Sequence, residues 1–544
     1  MGAPLLSPED IVRLPCGRAG FSDIRQNGQI YVDKTSLVHR IALGRSPYFF
    51  SRPRRFGKSL LISTFESLFS KGVADFRGLA IEKLWHEDRT YPVVHLTFAN
   101  YKTSDIGSFE RSLNEDLKEN LDGICPVDTL DAAGRDRAPS DVLKSALRNL
   151  GASSIVLLID EYDSPIVHTL NKPELCDQIT GTLSAFFNVL KDYTAKCRFI
   201  FITGITRIAH VSLFSVFNNL KELTLTRDAA HLTGFTEEEL HRDFHPYVEN
   251  AASVLDMAVE DVYARLKIRY DGYRFTLHEA VDTLYNPWSV LSFLSAPEEG
   301  FKNYWYHSGA GTPRLLLEHL RRDNVSLDCS ALRHDPPTAT EDRLILKSEA
   351  RDIPSDILLW QTGYLTLKRL SSQRAALVFP NEEVEDSLTR LAEDAAHLGL
   401  KAETESRLDE LPSIIDAQDL EAIADLFNLI FRECLSSDSQ VFNYEPDIRN
   451  IVYMKIPEHG LAKLREATNS EGESDLELKT SRTHLVIEFK RIREDRGLEA
   501  SLEEGIEQIL SRDYGKTTSN LALVRVVMVC STDEHRIVLT HRVD

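Results

Sequence analysis

Two short segments near the carboxyl end of the chain carry side chains that could cleave a phosphodiester bond. Asp475 lies in Ser474-Asp475-Leu476-Glu477-Leu478, and Glu488 and Lys490 lie in His484-Leu485-Val486-Ile487-Glu488-Phe489-Lys490, after an intervening turn. Two carboxylates on adjacent strands can bind Mg²⁺ or Mn²⁺, and a nearby lysine can orient water or stabilise developing negative charge. The pattern predicts that Asp475, Glu488 and Lys490 are catalytic and that the two carboxylates are metal ligands.

The second segment has the alternation of a half-buried strand. Glu488 and Lys490 are two residues apart, so a strand points both to one face, while Ile487 and Phe489 make the other face apolar and fix the register. The run Lys490-Arg491-Ile492-Arg493 would add a basic edge suited to a nucleic-acid backbone. The alternative is a surface hairpin in which Glu488 and Lys490 form an ion pair worth about 0.2 to 1 kcal/mol.

A second group of residues, near the amino end, could bind the phosphates of a nucleotide. The segment Arg52-Pro53-Arg54-Arg55-Phe56-Gly57-Lys58-Ser59 follows a hydrophobic strand pattern and opens a helical one. Backbone N–H groups at a helix N-terminus bind phosphate oxygens, the lysine reaches the β- and γ-phosphates, and the serine hydroxyl ligates Mg²⁺. The first glycine of such a loop is replaced by Arg52. The alternative is a helix capped by Ser59 after a solvated basic turn.

Acidic and polar residues further along the chain could complete the nucleotide site. Asp160 and Glu161 end a buried-strand pattern, where Asp160 would hold the Mg²⁺ shell and Glu161 would polarise the attacking water. The alternative is a strand that runs into a solvated acidic turn. Thr203 and Arg207, at the end of a third strand, could sense the γ-phosphate, although an arginine after a strand is typical of a surface. The predicted nucleotide-binding residues are Arg54, Arg55, Phe56, Gly57, Lys58, Ser59, Leu60, Asp160 and Arg207, with Ser59 and Asp160 as Mg²⁺ ligands.

The elements that must position these groups follow from hydrophobic periodicity. From 47 to about 204, short apolar strands alternate with amphipathic helices, which is typical of a parallel sheet covered on both faces. The expected strands are 48–50, 93–98, 155–159 and 199–203, and the expected helices are 59–72, 108–120, 140–150 and 178–193. The pattern is mainly helical over 205–370, with a strand pair in 363–380, and helical again over 383–436. A second small α/β fold is expected from strands at 476–478, 484–489 and 523–530 and a helix at 499–513.

Composition limits the classes of function. A chain of 544 residues predicts about three domains. Its 42% hydrophobic and 27% charged residues are ordinary for a globular protein and exclude fibrous, collagen-like and wholly disordered classes. Lys and Arg number 63 against 84 Asp and Glu, which gives a net charge of −21. Any contact with nucleic acid must therefore use a local basic groove.

The N-terminal segment and the cysteines predict the compartment. The first residues have no basic n-region and no apolar stretch of signal-peptide length, and the chain has no apolar run long enough for a membrane helix. Seven cysteines are scattered without a CxxC pair, which predicts a reducing compartment and no structural zinc. We expect a soluble cytoplasmic protein, or a nuclear one if the source is eukaryotic, with no membrane partner.

The motifs as a set resemble those of a known family, the AAA-ATPase-like proteins that carry a C-terminal PD-(D/E)xK nuclease-superfamily domain. The resemblance spans nearly the whole chain in order. It is carried by Tyr31-Val32-Asp33-Lys34-Thr35, the loop from Arg52 to Ser59, Leu158-Ile159-Asp160-Glu161-Tyr162-Asp163, Leu232-Thr233-Gly234-Phe235-Thr236, Tyr273-Arg274-Phe275, Leu284-Tyr285-Asn286-Pro287-Trp288-Ser289, Tyr304-Trp305, Gly363-Tyr364-Leu365-Thr366 and Pro380-Asn381-Glu382-Glu383-Val384. Members of this family look alike in lacking the first loop glycine, so Arg52 fits the family pattern.

The resemblance implies an α/β architecture in three parts. These are an AAA-like P-loop NTPase domain with a parallel sheet (1–230), a mainly helical lid or connector with a short strand pair (231–382), and a PD-(D/E)xK nuclease-like α/β domain with preceding helices (383–544). Related nuclease domains often carry a glutamine and a tyrosine beside the metal site, which Gln508 and Tyr514 match. Glu445 matches an acidic residue on the first helix of such domains.

These observations favour an ATP-dependent or ATP-regulated, metal-dependent nuclease that acts on DNA rather than RNA. Its cofactors would be ATP and Mg²⁺, with Mn²⁺ as a substitute at the nuclease-like site, its partner nucleic acid, and homo-oligomer formation is left open. A second hypothesis is an NTPase switch whose nuclease-like domain only binds nucleic acid or a protein; the complete set of Asp475, Glu488 and Lys490 argues against it. An inert structural protein is disfavoured by Glu161, which nucleotide binding alone does not require.

Overall fold

A computed structural model describes the greater part of the chain in two compact units. The described residues are 6–170, 172–206, 219–307, 329–345, 353–396, 401–435, 444–456, 461–469, 472–492, 497–515 and 521–543. The first unit reaches residue 388 and the second runs from 389, with a short piece near 330 also assigned to the second. The expected division into three parts stays a prediction.

The first unit contains a five-stranded parallel sheet with the order β2-β3-β4-β1-β5. Its strands are β1 (Pro47–Ser51), β2 (Val93–Thr97), β3 (Ile155–Asp160), β4 (Cys197–Gly204) and β5 (Lys221–Glu222). Every residue of β1, β3 and β4 is buried, which confirms the prediction of a parallel sheet covered on both faces. The two-residue β5 was not predicted.

Helices surround this sheet, and the four that were predicted begin one to five residues before their predicted starts. They are α1 (Pro8–Ile11), α2 (Phe21–Gln26), α3 (Thr35–Ala42), α4 (Lys58–Lys71), α5 (Ile106–Leu121), α6 (Pro139–Arg148), α7 (Ser164–Val167) and α8 (Pro173–Asp192). Phe65 of α4 packs on Phe199 and Phe201 of β4, with ring centroids 5.0 and 4.8 Å apart. These aromatic contacts fix the helix that follows the predicted phosphate loop.

The chain after the sheet is mainly helical, as predicted. It forms α9 (Glu237–Leu255), α10 (Val259–Tyr270), α11 (Pro287–Ser295), α12 (Tyr304–His307), α13 (Cys329–His334), α14 (Glu341–Leu344), α15 (Ser355–Thr362) and α16 (Glu382–Ala396). The predicted strand pair is present, but a third strand joins it, giving the order β6-β8-β7. These strands are β6 (Thr338–Thr340), β7 (Thr366–Arg369) and β8 (Arg374–Val378).

The second unit is built on a mixed five-stranded sheet with the order β13-β12-β11-β10-β9. Its strands are β9 (Ala462–Asn469), β10 (Gly472–Lys479), β11 (Thr483–Arg491), β12 (Ala522–Ser531) and β13 (Arg536–Val543). Its helices are α17 (Ala402–Leu408), α18 (Leu411–Asp416), α19 (Leu420–Cys434), α20 (Glu445–Lys455) and α21 (Leu498–Ser511). The predicted hairpin is β10 and β11, while the outer strands β9 and β13 were not predicted.

The two faces of β11 pack into different layers. Ile487 and Phe489 join the core under α19 and α20, whereas Val486 packs with Ile509 and Tyr514 from the side of α21. The alternation confirms the predicted register, because a shift by one residue would exchange these two layers. No helix in the described ranges is both long and apolar enough to cross a membrane.

Candidate functional sites

The phosphate loop joins the end of β1 to the beginning of α4. Gly57, just before the helix, has φ of 84°, and Arg55 also adopts a left-handed conformation, with φ of 64°. This conformation is costly for a residue with a β-carbon and is found where the fold demands it, often at functional sites. A left-handed turn before a helix N-terminus gathers backbone N–H groups around an anion.

Arg52, which stands where such loops usually carry glycine, is a buried anchor of the loop. Its side chain is 1% exposed and donates to the carbonyl oxygens of Ser51, Thr224 and Ala229 at 2.9, 2.9 and 3.0 Å. The guanidinium also lies 4.1 Å from the ring centroid of Phe275. The missing glycine is therefore compensated by a side chain that holds the loop from beneath.

We expect Arg52→Gly, which restores the usual loop glycine, to destabilise the protein rather than improve it. Three buried carbonyl groups would lose their donor, at a cost of about 3 to 5 kcal/mol in the free energy of unfolding. Thermal and urea denaturation without nucleotide would measure the loss. Arg54→Gly, in the same loop but less buried, is the matched control. Equal stability of the two variants would show that Arg52 does not anchor the loop.

The rest of the first unit also holds the loop. The ring of Phe56 lies 4.7 Å from that of Tyr273 and 5.2 Å from that of Phe275. Gly363, with φ of 91°, leaves so little room that a β-carbon there would lie 2.6 Å from Pro53. The predicted connector thus contacts the phosphate loop directly.

Lys58 spans the loop from the first turn of α4. Its ammonium donates to the carbonyl oxygens of Arg52 and Pro53, each at 2.9 Å, and the side chain is buried. Burial lowers the pKa of Lys58, while Glu161, Asp160 and Asp163 act in the opposite direction. The amine lies among acidic groups at the edge where a phosphate would add negative charge.

The two predicted acids lie at the carboxyl end of β3. Asp160 is buried and accepts a hydrogen bond from the Thr203 hydroxyl, from the end of the neighbouring β4. Glu161 has φ of 52°, a second strained residue at this edge. Burial raises the pKa of Glu161, and Lys58 partly offsets this. The edge thus brings one fully buried and one partly buried carboxylate beside Lys58.

The candidate sensing residues of β4 have different outcomes. Thr203 contacts Asp160 as described, whereas Arg207 lies outside the described residues. Asp163 holds the chain just before Arg207, because its carboxylate accepts from the backbone N–H and the hydroxyl of Thr206, each at 2.6 Å. Burial raises the pKa of Asp163. This carboxylate is therefore a structural tie, a role that the sequence analysis did not assign.

A cleft of about 340 Å³ lies over the phosphate loop. Its lining includes all the predicted loop residues and Glu161, namely Arg54, Arg55, Phe56, Gly57, Lys58, Ser59, Leu60 and Glu161. The structure therefore brings these residues together, with Asp160 directly behind Glu161 on β3. Residues between 15 and 38 and residues of α11 also line the cleft.

The lining of the cleft also includes aromatic and polar side chains. Trp288 of α11 is partly exposed there, with the guanidinium of Arg55 lying 4.4 Å from its ring centroid. Lys34 is held by both carboxylate oxygens of Glu239, each at 2.8 Å. The buried hydroxyl of Thr233 has no hydrogen-bond partner among the described residues. An aromatic face and an unsatisfied hydroxyl are features that a planar polar ligand could use.

The second candidate site lies on the β10–β11 hairpin. The antiparallel register, with Leu476 opposite Ile487, places Asp475 opposite Glu488. Asp475 Oδ2 accepts the Phe489 N–H at 2.8 Å, and Lys490 Nζ donates to Glu488 Oε1 at 2.8 Å. The structure thus brings all three predicted residues to one face of the sheet.

The electrostatics of this hairpin fit a bound divalent cation. Burial and then the charge of Asp475 raise the pKa of Glu488 to about 7. Burial alone would lower the pKa of Lys490. The negative charges of Glu488 and Glu445 outweigh this effect, so the pKa of the lysine is raised. Glu488 Oε2 is buried with no hydrogen-bond partner in the described part of the chain. A hard cation such as Mg²⁺ or Mn²⁺ prefers such oxygen ligands and would relieve this repulsion.

Residues from two helices complete the surroundings of the hairpin. Glu445, at the beginning of α20, accepts the Arg491 N–H at 3.2 Å and lies 3.7 Å from Lys490 Nζ. From α21, Gln508 accepts from Lys490 at 2.8 Å and donates to the Tyr514 hydroxyl at 3.1 Å. The three positions suggested by the resemblance therefore lie around Lys490. Within the described ranges, no three carboxylate, histidine or cysteine side chains are preassembled as a metal cluster.

The expected basic edge is not formed by Lys490. Its side chain is 5% exposed; the ammonium donates to Glu488 and Gln508 and lies 3.7 Å from a carboxylate oxygen of Glu445. Arg493 lies outside the described residues. Lys490 is therefore part of the buried hairpin site and does not form an exposed basic edge.

Comparison with known proteins gives family matches for the two segments that contain the candidate sites. Residues 15–214 match the family model described as "Predicted AAA-ATPase", and residues 443–539 match the PD-(D/E)XK nuclease superfamily. An "Uncharacterized protein in vnfD 5'region" of Azotobacter chroococcum mcd 1 is 30% identical over 486 residues, which covers 88% of this chain and 89% of the relative. The chain belongs to the AAA-ATPase-like family with a C-terminal PD-(D/E)XK nuclease domain. This AAA-ATPase-like protein thus combines domains that suggest ATPase and nuclease-like functions.

Three residues of the AAA-ATPase-like protein escaped the sequence analysis. Trp288 was given no role beyond its place in the family motifs, although the preceding Asn286-Pro287 begins α11 and the ring is partly exposed at the cleft. Thr233 carried no signal beyond its place in the family motifs. Arg449 lies four residues after Glu445, so both are on one face of α20, and this spacing could have identified it.

Proposed function

We propose that the AAA-ATPase-like protein is an ATP-regulated, metal-dependent nuclease that acts on DNA in preference to RNA. The observation that carries the proposal is the hairpin, where the buried Glu488 Oε2, which has no hydrogen-bond partner among the described residues, lies beside Asp475 and Lys490. A divalent ion between the carboxylates would polarise the phosphate and activate water. Asp475 and Glu488 would hold this ion, and Lys490 would stabilise the negative charge of the transition state.

The nucleotide half of the proposal rests on the phosphate loop and the cleft above it. The loop N–H groups and Lys58 would hold the phosphates, and Ser59 and Asp160 would hold the accompanying Mg²⁺. Glu161 would orient the attacking water, because it lies at the cleft wall while Asp160 is buried behind it. The part of the cleft lined by Trp288 would bind the base of the nucleotide.

The experiment that tests the whole proposal is incubation of the full chain with plasmid DNA, single-stranded DNA and RNA. Each reaction would contain Mg²⁺ or Mn²⁺, with and without ATP. Cleavage that requires the metal and changes with ATP supports the proposal. Absence of cleavage across all these substrates and metals would contradict it and would favour a switch that only binds.

ATP regulation can be tested separately with Glu161→Gln. This variant should bind ATP without hydrolysing it, so the protein stays in its ATP-bound state. Coupling between two sites ordinarily changes an equilibrium by about 5- to 150-fold. We expect cleavage by the ATP-bound variant to differ from that of nucleotide-free wild type by a factor in this range. Equal rates would show that the two domains are joined without being coupled.

One observation favours the alternative of a protein-binding switch. Glu499, Glu503 and Glu507 are exposed at intervals of four residues along α21, the same helix that supplies Gln508 to the hairpin site. Carboxylates at this spacing repel each other and also repel a nucleic-acid backbone. A basic protein surface would suit this face. Variants in which these glutamates are replaced by basic residues test the two possibilities. If they bind DNA more tightly and still cleave it, DNA remains the substrate. Specific binding of a basic peptide to the wild-type protein would favour the alternative.

The base end of the cleft gives a further prediction. Trp288→Ala should weaken ATP binding about 10-fold or more, because stacking on an aromatic ring contributes about 1 to 3 kcal/mol per base. Isothermal titration would measure the dissociation constant for ATP. Inorganic tripolyphosphate is the control ligand, since it has the phosphates and no base. If ATP and tripolyphosphate are affected equally, the base does not lie on Trp288.

A further inference from the structure

The nuclease-like site contains a buried arginine that neither the motif nor the family match assigns. Arg449 of α20 has a side chain that is 6% exposed, and its Nη1 lies 3.5 Å from Asp475 Oδ1. This oxygen is the one that does not accept the Phe489 N–H, which binds Oδ2. Asp475 therefore has the backbone of β11 on one oxygen and a guanidinium at the other.

From this arrangement we infer that Arg449 takes the place of a second divalent cation, so that the site binds a single metal ion. The inference rests on the proposed metal-dependent function. In two-metal nucleases, ions about 3.5 to 4 Å apart share carboxylate ligands and clamp the phosphate from both sides. Here one side of Asp475 faces a fixed positive charge, because a guanidinium stays protonated at any physiological pH.

The remaining carboxylates agree with a single ion. Glu488 Oε2 is the buried oxygen without a partner among the described residues, so it is available as a ligand beside Asp475, which lies opposite Glu488 in the strand register. Glu445, a further acidic side chain of the site, accepts from the Arg491 N–H and lies near Lys490. A second ion on the Oδ1 side of Asp475 would meet the like charge of Arg449.

Burial makes Arg449 a permanent member of the site. Because the side chain is only 6% exposed, water can replace Asp475 as the partner of the guanidinium only if α20 moves. Glu445 lies one helical turn earlier on α20, so the helix sets both contacts together. We therefore describe Arg449 as a positioning residue, which acts through Asp475 and supplies one fixed charge instead of an exchangeable ion.

Counting bound Mn²⁺ in the full-length, nucleotide-free protein tests this inference. Electron paramagnetic resonance measures the free Mn²⁺, and the number of bound ions follows from the total. Each protein is compared with the same protein carrying Asp475→Asn. The difference between the two counts is the number of ions that depend on Asp475. Any ion at the phosphate loop is present in both and cancels. We expect a difference of one in wild type. In Arg449→Met we expect a difference of two, or one ion bound about 10-fold more tightly because a neighbouring positive charge is gone.

Control variants separate the possible failures. Arg449→Lys keeps the charge and should retain one ion, and Arg432→Met, which removes an exposed arginine of the same unit, should behave as wild type. A difference of two in wild type, or an unchanged number and affinity in a folded Arg449→Met protein, would overturn the inference alone. If Arg449→Met does not fold, the counts for wild type and Arg449→Lys decide. A difference of zero in wild type would overturn the metal-dependent function and this inference with it.

Discussion

Lys58→Ala should reduce ATP hydrolysis by about 1,000-fold, because the loop loses the cation that faces the transferred phosphate. The effect is large because Lys58 is buried among Asp160, Glu161 and Asp163. Without the ammonium, the phosphates would add negative charge to an edge that is already acidic. Phosphate release measures hydrolysis, and isothermal titration shows whether ATP still binds.

Two comparison variants give this result its meaning. Lys71→Ala removes a lysine from the other end of α4, where the side chain is about half exposed, and should leave hydrolysis unchanged. Glu161→Gln should keep ATP binding and lose turnover by about 100-fold, since it removes the group that orients water and leaves the loop intact. Hydrolysis by Lys58→Ala at the wild-type rate would show that the phosphates bind elsewhere.

The grouping of the predicted loop residues with Glu161 around one cleft could be predicted from sequence because its parts are local. A loop, the beginning of a helix and the end of a strand each have their own pattern, and parallel strands bring their carboxyl ends to one edge. The conformation of Arg52 was not predictable in this way. Its partners Thr224 and Ala229 lie far along the chain and come together only after folding.

The part of the cleft around Trp288 is non-local in the same sense. It combines residues 15–38 with Thr233 and Trp288, and no spacing rule connects segments so far apart. A tryptophan among apolar residues is more often core, so its sequence environment gave no reason to assign it to a site. In the structure Trp288 is partly exposed, and the guanidinium of Arg55 lies 4.4 Å from its ring centroid.

The strands that sequence analysis missed lie at sheet edges or are very short. Strands β5, β9 and β13 are the outer members of their sheets, and β6 is an outer strand of three residues. An edge strand packs against fewer neighbours than a central strand and carries fewer apolar residues. Its hydrophobic pattern is therefore weaker than that of β3 or β11. The central strands carry the candidate site residues, and they were the easiest to find because their apolar pattern is stronger.

Asp475→Asn and Glu488→Gln should each eliminate metal-dependent cleavage while leaving ATP hydrolysis near the wild-type rate. Each change removes a negative ligand from a pair that faces one ion, and we expect a loss of about 1,000-fold or more. Both replacements keep the size of the side chain, so Asp475 and Glu488 can be tested without opening a cavity in the buried hairpin. Cleavage of labelled DNA and phosphate release from ATP would be measured on the same preparations.

Measuring both activities separates a defect at the hairpin from general misfolding. A protein that had misfolded would be expected to lose both activities, whereas loss of cleavage alone points to the hairpin. Glu477→Gln is the matched control, because Glu477 lies on the same strand as Asp475 but is paired with His484 at 2.8 Å. Lys58→Ala should lose ATP hydrolysis and change the rate of cleavage through the loss of ATP regulation, although its metal ligands are intact. Cleavage that survives in both Asp475→Asn and Glu488→Gln would mean that the hairpin is not the catalytic centre, even if the AAA-ATPase-like protein is a nuclease.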